Sequence, residues 1–508
     1  MLPPEPVALP DSARPNKPGT RQRNPHRVTL RAIFLLLLLG GLPSFIAAAA
    51  TLPDSVRRAP LDSLILAQCP GYPVLRVGQI LFVGNDVTKE RILRAELDFR
   101  EGDTLRAATL ARRLEANRLR VFNLQLFHRV LVQPVCRNGE LTILFSVQER
   151  WYTFPIPILS LADRNFRSWL DRPDRWRRVD YGLHVERKNF RGRNEEIRGN
   201  LQLGFNRKYE LFYDTPGYGK LRRLGFGVGG SYFRSHSLDY ATVEDRLINF
   251  RDDAGFPIER RYVTAGLRWR YTVQRRTLLD VSYHRETISD SIVRRNPDYY
   301  LSGNRRDYVD VALTTIFNHR NTFAYPLTGH YLQVSLIQRV FVTKAPPITT
   351  LRAEVAKYVA LGHDFYYNIG IQGQVRVGER VAYADNRALG YSALVRGYDQ
   401  YVVDGRHYGL VQQGVSYRLW DAGRLRLGGI DNPKINSIPL VLYLNTFADA
   451  GYVASRSAER GSRLPNRLQA AAGIGLHLVT YYDRVITLEY TRNVLGQGGF
   501  FLRTEFPI

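Results

Sequence analysis

The feature that most restricts the fold of this chain is a long series of segments in which apolar and polar residues alternate, from about Val179 to the C-terminus. In YVTAGLRWRYTV, residues 262–273, one face carries only Val263, Ala265, Leu267, Trp269, Tyr271 and Val273. VDVALTTIF at 309–317 repeats the pattern. Because successive side chains of a β-strand point to opposite sides, this alternation predicts strands with one apolar and one polar face.

Two properties of these segments favour a transmembrane barrel over a soluble β-sandwich, whose strands alternate in the same way. The segments exceed the ~5–6 residues of most soluble strands, and arginine recurs on their polar faces. Barrel strands need ~9–11 residues to cross a bilayer, with apolar side chains outward. We count sixteen segments between Val179 and Ile508, an even number, as expected of a bacterial barrel. We therefore expect a mainly β protein in which residues 178–508 form a 16-stranded antiparallel transmembrane β-barrel.

The N-terminus has the pattern of a secretory signal peptide. Four arginines between positions 21 and 31 precede an apolar run at 32–39, and alanines at 47–50 supply small residues for cleavage. The alternative is a membrane anchor, but Gly40, Gly41 and Pro43 interrupt the apolar stretch. We assign residues 1–50 to a signal peptide and 51–73 to a lead-in segment. No later stretch is apolar over the ~18–20 residues that a spanning helix needs, so a membrane-embedded mature chain must span as a β-barrel.

Residues 74–150 are expected to form a small α+β domain. A strand ends at Gly84 and Asn85, two helices follow, with Thr88 as the candidate cap of the first, and Asn138-Gly139 joins two further apolar runs as a hairpin turn. This β-α-α-β-β order, together with FVGN, F-x-x-G-D at 99–103 and LF at 126–127, resembles a POTRA domain, the periplasmic module of outer-membrane assembly and secretion barrels. We find one copy.

The segment after this domain, WYTFPIPILSLADRNFRSWLD, contains two prolines and has no clean period. We therefore expect residues 151–177 to be a connector. On this prediction the first barrel strand lies near Val179–Phe190 and the last near Phe500–Ile508. We expect the seam between these two strands to be short of hydrogen bonds, since an unpaired edge can template the addition of another strand.

A long gap between the eleventh and twelfth segments, about 376–406, contains ALGYSALVRGYDQY. Its VRGY resembles the hallmark of the bacterial surface antigen superfamily, which includes BamA-like and TamA-like assembly barrels and two-partner secretion transporters. In that family the loop folds back into the barrel, and its arginine pairs with the aspartate of an F-x-D-x-G wall strand. FADAG at 447–451 matches that pattern. The resemblance implies a loop motif and a wall motif made of Val395, Arg396, Gly397 and Tyr398, and of Phe447, Asp449 and Gly451. An ordinary solvated loop arginine is the alternative.

The same resemblance implies that the first and third strands of the POTRA domain are parallel neighbours. Cys69 and Cys136 would then lie at the same end of the sheet, in an oxidising compartment where disulfides persist. We predict a Cys69–Cys136 disulfide. The alternative is two unrelated cysteines, because Pro70 and Pro73 can steer the lead-in segment away.

Neither charge nor motifs favour a nucleic-acid partner or an enzyme. The chain has 72 Lys+Arg and 47 Asp+Glu, a net charge of +25, but no nucleic-acid-binding motif. GFGVGG at 225–230 has no helix after it, which a phosphate-binding loop requires. GYSAL at 390–394 lacks the last glycine of a nucleophile elbow. The 10 histidines and 2 cysteines show no metal-ligand spacing. We expect no enzymatic activity, cofactor, metal or nucleic acid.

Taken with the resemblance, these features imply an outer-membrane barrel with its POTRA domain in the periplasm. The implied function is assembly or translocation of polypeptide across or into the outer membrane. Its implied partners are outer-membrane lipid, unfolded client proteins and periplasmic accessory proteins. The alternatives are a two-partner-type secretion transporter for one dedicated client and a passive channel with an arginine-rich lumen.

Overall fold

A computed structural model of the protein describes residues 71–161, 175–218, 223–272, 274–323, 325–343, 345–426, 437–455, 461–480 and 484–505. The predicted signal peptide at 1–50, the lead-in segment up to residue 70 with Cys69, and residues 506–508 lie outside the described residues. All described residues belong to one compact unit, Ser55–Ile508.

The N-terminal domain is a four-stranded sheet with two helices and a short 3₁₀ turn at Ala107–Thr109. In sheet order its strands are β2 (Thr104–Arg106), β1 (Val74–Val83), β4 (Glu140–Glu149) and β3 (Phe127–Arg137). β1 and β4 are parallel neighbours, as the resemblance implied. The predicted β-α-α-β-β order omits β2, a three-residue strand too short to give a periodic signal. The elements in chain order are β1 (Val74–Val83), α1 (Glu90–Arg94), β2 (Thr104–Arg106), α2 (Leu110–Phe122), β3 (Phe127–Arg137) and β4 (Glu140–Glu149).

The core of this domain lies between the sheet and α2. The fully buried aromatic residues Phe99, Phe127 and Phe145 pack there with aliphatic side chains from the sheet and the helix. The β3–β4 turn has positive φ at both Asn138 (51°) and Gly139 (79°), the conformation that an Asn-Gly hairpin turn requires. After β1, Gly84 has φ of 86°, and Asn85 donates its side-chain N–H to the Thr88 carbonyl (3.0 Å).

Cys136 lies near the end of β3 and is disulfide-bonded. Because Cys69 lies outside the described residues, the Cys69–Cys136 pairing stays a prediction. Labelling of both thiols in protein purified without reductant would contradict it.

After residue 150 the described residues form a sixteen-stranded antiparallel sheet, which confirms the predicted total. One of these strands, Thr153–Leu161, lies before Val179, so fifteen of the sixteen fall in the predicted range. Two separate two-stranded sheets pair Ser237–Val243 with Arg246–Arg251 and Arg387–Leu389 with Val403–Asp404. Short 3₁₀ turns occur at Arg175–Arg178 and Tyr383–Asp385. The elements are β5 (Thr153–Leu161), β6 (Val179–Phe190), β7 (Glu195–Gly204), β8 (Asn206–Tyr218), β9 (Leu224–Ser235), β10 (Ser237–Val243), β11 (Arg246–Arg251), β12 (Ile258–Arg270), β13 (Arg275–Ile288), α3 (Asp290–Arg295), β14 (Arg305–Asn318), β15 (Gly329–Phe341), β16 (Ile348–Gly362), β17 (Phe365–Val377), β18 (Arg387–Leu389), β19 (Val403–Asp404), β20 (His407–Arg426), β21 (Ser437–Ala454), β22 (Leu468–Val479), β23 (Val485–Asn493) and β24 (Gly498–Glu505).

The sheet begins earlier than the sequence predicted. The expected connector at 151–177 contains β5, which pairs with β6 along its whole length. β6 is bonded to β5 on one side and β7 on the other, so the prediction that Val179–Phe190 is the first strand is wrong. Pro155 and Pro157 argue against a central strand, but an edge strand tolerates proline where the missing N–H faces the unpaired side.

The exposed and buried faces of the strands are those expected of a barrel in a bilayer, with apolar side chains exposed and polar side chains buried. In β23, Ile486, Leu488 and Tyr490 are exposed on one face, while Thr487, Glu489, Thr491 and Asn493 are buried on the other. In β12, Val263 is 60% exposed, and Leu267 is also exposed on the same face. The apolar face therefore points outward, and the polar face lines the interior. Separately, no helix among the described residues has the length and apolar character needed to cross a membrane.

The N-terminal domain contacts one end of the barrel. Lys89 donates its backbone N–H to the Gly192 carbonyl in the β6–β7 turn (3.0 Å), and Glu96 accepts from Arg270 at the end of β12 (2.7 Å). The loop between β17 and β20, residues 378–406, begins at the opposite end of the barrel. The reason is that β17 starts at the end contacted by the N-terminal domain and runs away from it. This loop is called the long loop below.

Candidate functional site

The long loop is packed against the inside of the barrel wall. Its residues Leu389, Ala393 and Val395 are at most 2% exposed and share an apolar cluster with Val453 of β21 and Ala471 of β22. A loop in free solvent has no such core. The burial of these side chains therefore fixes the loop in the lumen at the point where Arg396 follows.

Arg396 binds Asp449 of β21 through a two-pronged ion pair. Its Nη2 donates to Asp449 Oδ1 at 2.6 Å, its Nε to Oδ2 at 2.8 Å, and its backbone N–H to Oδ2 at 3.1 Å. The Asp449 side chain is 0% exposed. The guanidinium also stacks on the Phe447 ring, 3.7 Å from its centroid. A planar guanidinium matches a carboxylate in this geometry, so the pair sets the position of the loop.

The pair belongs to a larger network that sequence reasoning missed. Arg396 Nη1 also donates to Glu489 Oε1 of β23 (3.2 Å), and Arg503 of β24 bridges Glu489 and Asp399 of the long loop, the latter at 2.7 Å. His477 of β22 lies 3.3 Å from Glu489. Glu489 lies on the inward face of an alternating strand, and this position in the sequence could have identified it as a lumen-facing carboxylate. Through Asp399 and Arg503, the long loop is bonded to the last strand of the sheet.

The other residues of the two motifs fill the space around the pair. Val395 and Tyr398 are buried, and the Tyr398 hydroxyl lies 3.5 Å from the Ala470 carbonyl. A Cβ on Gly451 would lie 2.6 Å from Val395 Cγ2, so only glycine allows the wall and the loop to approach so closely. Gly397 has φ of 86°, and Asn493 donates to its carbonyl (2.8 Å). The structure thus brings together all seven motif residues.

Two protein-family models match the chain, one in the barrel and one in the N-terminal domain. Residues 189–480 match the Omp85 superfamily domain, more than half of the sequence, and residues 75–150 match the POTRA repeat described as a surface antigen variable number repeat. The chain belongs to the Omp85 superfamily. This confirms the resemblance drawn from its motifs, and it supports a role in outer-membrane protein insertion or translocation.

Three solved structures are similar to the chain in fold. BamA from Haemophilus ducreyi lacking POTRA domains 1–3 has 15% identity and a TM-score of 0.48, with 85% of each chain covered. CdiB from Escherichia coli has 11% identity and a TM-score of 0.49, covering 85% of this chain and 76% of that one. CdiB from Acinetobacter baumannii has 15% identity and a TM-score of 0.45, covering 85% and 74%. No curated protein sequence matches the chain.

In this Omp85 protein a second anchor holds the long loop from its other side. Asp385 accepts from Arg306 of β14 (2.7 Å) and Arg339 of β15 (2.6 Å). These strands lie on one flank of the β17–β20 pair, whereas β21, β23 and β24 lie on the other. The long loop is therefore tied to both flanks of the lumen.

A polar cluster joins the POTRA domain to the barrel. The Thr88 hydroxyl donates to Glu149 (2.6 Å) and accepts from Asn189 of β6 (2.8 Å), so Thr88 does not cap α1 as predicted. The Tyr152 hydroxyl lies within 3.1 Å of both Thr88 and the Leu126 carbonyl. Burial raises the pKa of the Tyr152 phenol above its ordinary value, which keeps this donor protonated.

The two ends of the sheet, β5 and β24, are not joined by a ladder in the part of the chain that the structure describes. The Lys188 N–H donates to the opposite Tyr152 carbonyl (2.8 Å), so the even-numbered residues of β5 bond to β6 and the odd-numbered ones face the open edge. Pro155 and Pro157 are odd-numbered. The open edge of β5 therefore lacks two N–H donors.

The open edge of β24 is complete by the same reasoning. Asn493 donates to the opposite Gln497 carbonyl (2.9 Å), so odd-numbered residues of β24 bond to β23. The even-numbered residues face the open edge, and each has an N–H: Gly498, Phe500, Leu502 and Thr504. We call the gap between the two open edges the seam. It replaces the seam predicted between Val179–Phe190 and the C-terminus.

Two glycines of equal φ allow a test of how tightly the loop is packed. Gly397 and Gly496 have φ of 86° and 85°, but a Cβ on Gly397 would lie 2.7 Å from Thr491 Cγ2, whereas one on Gly496 would meet nothing within 4 Å. Both alanine variants should lose about 1–2 kcal/mol of unfolding free energy through backbone strain. Gly397→Ala should lose a further ~1–3 kcal/mol through overpacking. Denaturant unfolding in detergent measures both, and equal losses would contradict the packed position of the loop.

Proposed function

We propose that this chain inserts or transports polypeptide at the outer membrane by letting a client strand add to the open edge of β24. The observation that carries the proposal is the inequality of the two edges. An unpaired strand edge with a full set of N–H and C=O groups is a template for another strand. β24 has four such N–H groups facing the seam, while prolines interrupt the facing edge of β5.

The two prolines disfavour direct pairing of β5 with β24. Closure would pair β24 with β5, and each missing donor leaves an acceptor on β24 without its ladder partner. A typical hydrogen bond contributes about 0.5–1.5 kcal/mol net, so two missing bonds weaken closure by roughly 1–3 kcal/mol. A client strand without proline at these positions pairs with β24 more completely than β5 does.

The long loop contacts both β24, which borders the seam, and β21, on the inner wall of the barrel. Arg503 of β24 binds Asp399, and the same loop is held by Arg396 on Asp449. Movement of β24 on client pairing therefore acts directly on the loop. The POTRA domain, fixed to the barrel by Thr88, Glu96 and Lys89, would receive unfolded clients or accessory proteins on the periplasmic side, and the outward apolar face would contact outer-membrane lipid.

Depletion of the protein tests this function. The expected result is a loss of several integral outer-membrane proteins from the membrane fraction, measured by quantitative proteomics, and its restoration by the wild-type chain. Loss of one secreted protein alone would instead favour a dedicated secretion transporter. An unchanged outer-membrane and secreted proteome would overturn the proposal.

A further inference from the structure

A polar cavity of about 650 Å³ lies inside the barrel, between the inward side chains of β12–β17 and residues 384–392 of the long loop. Its charged lining is unbalanced. Three carboxylates face six guanidinium groups, an excess of 6 − 3 = 3 positive charges. The carboxylates are Glu286, Asp310 and Asp385, and the guanidinium groups are those of Arg260, Arg306, Arg339, Arg352, Arg376 and Arg387.

All three carboxylates already form ion pairs with three of the arginines. Arg306 bridges Glu286 and Asp385, and Arg339 bridges Asp310 and Asp385, with distances of 2.6–2.7 Å. Arg260 lies 3.7 Å from Glu286. No carboxylate on the cavity wall remains for the other three arginines.

Those three, Arg352, Arg376 and Arg387, make no ion pair within the described ranges. Arg352 Nε and Arg376 Nη2 converge on one neutral oxygen, Gln374 Oε1, at 2.9 and 3.3 Å. Arg376 is 8% exposed, and its other partners, the Asp385 carbonyl and the Thr350 hydroxyl, are neutral as well. Arg387 lies against the Tyr391 ring, 5.2 Å from its centroid.

We propose that this cavity is a binding site for a phosphate-class oxyanion, held between Arg352 and Arg376 with Arg387 as a third donor. Burying the Arg376 guanidinium without an opposite charge is costly, and an anion that also contacts the more exposed Arg352 and Arg387 removes that cost. Two guanidinium groups that share one oxygen atom are close enough to donate to different oxygens of one tetrahedral anion. Such forks bind phosphate in two-pronged fashion, which a monatomic anion cannot reproduce.

Isothermal titration of the full chain, purified in an uncharged detergent, with inorganic diphosphate tests the site. Ionic strength is held constant with sodium chloride, so that non-specific screening does not contribute. Wild type should bind at a single site. Arg352→Gln, which removes one charged donor, should bind about tenfold or more weakly. Because Arg352 is exposed to the lumen and its Nε donates to the neutral Gln374 side chain, this variant should fold, which heat-modifiable migration on gels verifies.

Arg268→Gln is the matched control. Arg268 also points into the barrel, but it is already paired with Asp214 (3.0 Å) and Asp280 (2.8 Å), so its loss should leave diphosphate binding unchanged. No binding by wild type, unchanged affinity in Arg352→Gln, or an equal loss in Arg268→Gln would each overturn the site. Competition by a short-chain phosphatidic acid would assign the same site to a lipid headgroup, and its failure would assign it to the free anion. None of these results depends on client insertion.

Discussion

Replacing Arg396 with alanine should release the long loop from β21 and lower the free energy of unfolding by about 3–5 kcal/mol, as expected when one partner of a buried ion pair is removed. The Asp449 carboxylate is 0% exposed, so it would be left without its main counter-charge. Asp449→Ala should have a similar effect, since it strips the guanidinium of both short hydrogen bonds. The measurement is denaturant unfolding of the purified barrel in detergent.

The double variant distinguishes a real pair from two independent residues. Arg396→Ala with Asp449→Ala should be little worse than either single change, because both remove the same interaction. Arg418→Ala is the control, since Arg418 pairs with a carboxylate, Asp364, whose side chain is 46% exposed, and its loss should cost no more than about 1 kcal/mol. Additive losses at 396 and 449 would show that the pair does not hold the loop.

Most of the barrel could be predicted because each strand is specified by residues that are close together in the sequence. A strand with one lipid-facing and one lumen-facing side must alternate, so a segment such as 262–270 specifies both its structure and its orientation. The Asn138-Gly139 turn is equally local, because only two residues that accept positive φ are needed. Arg396 and Asp449 are 53 positions apart, and no local rule joins them. Only the resemblance of two short motifs to those of a family connects them in the sequence.

The parts that could not be predicted depend on neighbours that the sequence does not reveal. Glu489 and Arg503 gain their importance from meeting the long loop in three dimensions. Thr88 has the residue type of a helix cap, but the buried Glu149 carboxylate competes successfully for its hydroxyl. The sequence predicts a connector at 151–177, because this segment has two prolines and no clean period. A strand forms within it at Thr153–Leu161, and that exception requires knowing which side of the strand is unpaired.

Adding the two missing donors at the seam should reduce client insertion. In the Pro155→Thr, Pro157→Thr variant, both new N–H groups face the open edge of β24, and threonine also favours strands more than proline does. Two added hydrogen bonds, at roughly 1 kcal/mol each, would shift the seam toward the closed state by about 30-fold. The rate at which a purified client barrel is inserted into liposomes should fall with the population of the open seam.

Hydrogen exchange reports the same change independently of any client. The amides of Phe500 and Leu502 face the seam and should exchange more slowly in the double-threonine variant than in wild type. Leu159→Thr is the matched control, because residue 159 faces the same edge, is 79% exposed and already has an N–H. Slowed exchange with an unchanged insertion rate would show that clients do not enter through the seam. Unchanged exchange would show that the prolines do not hold it open.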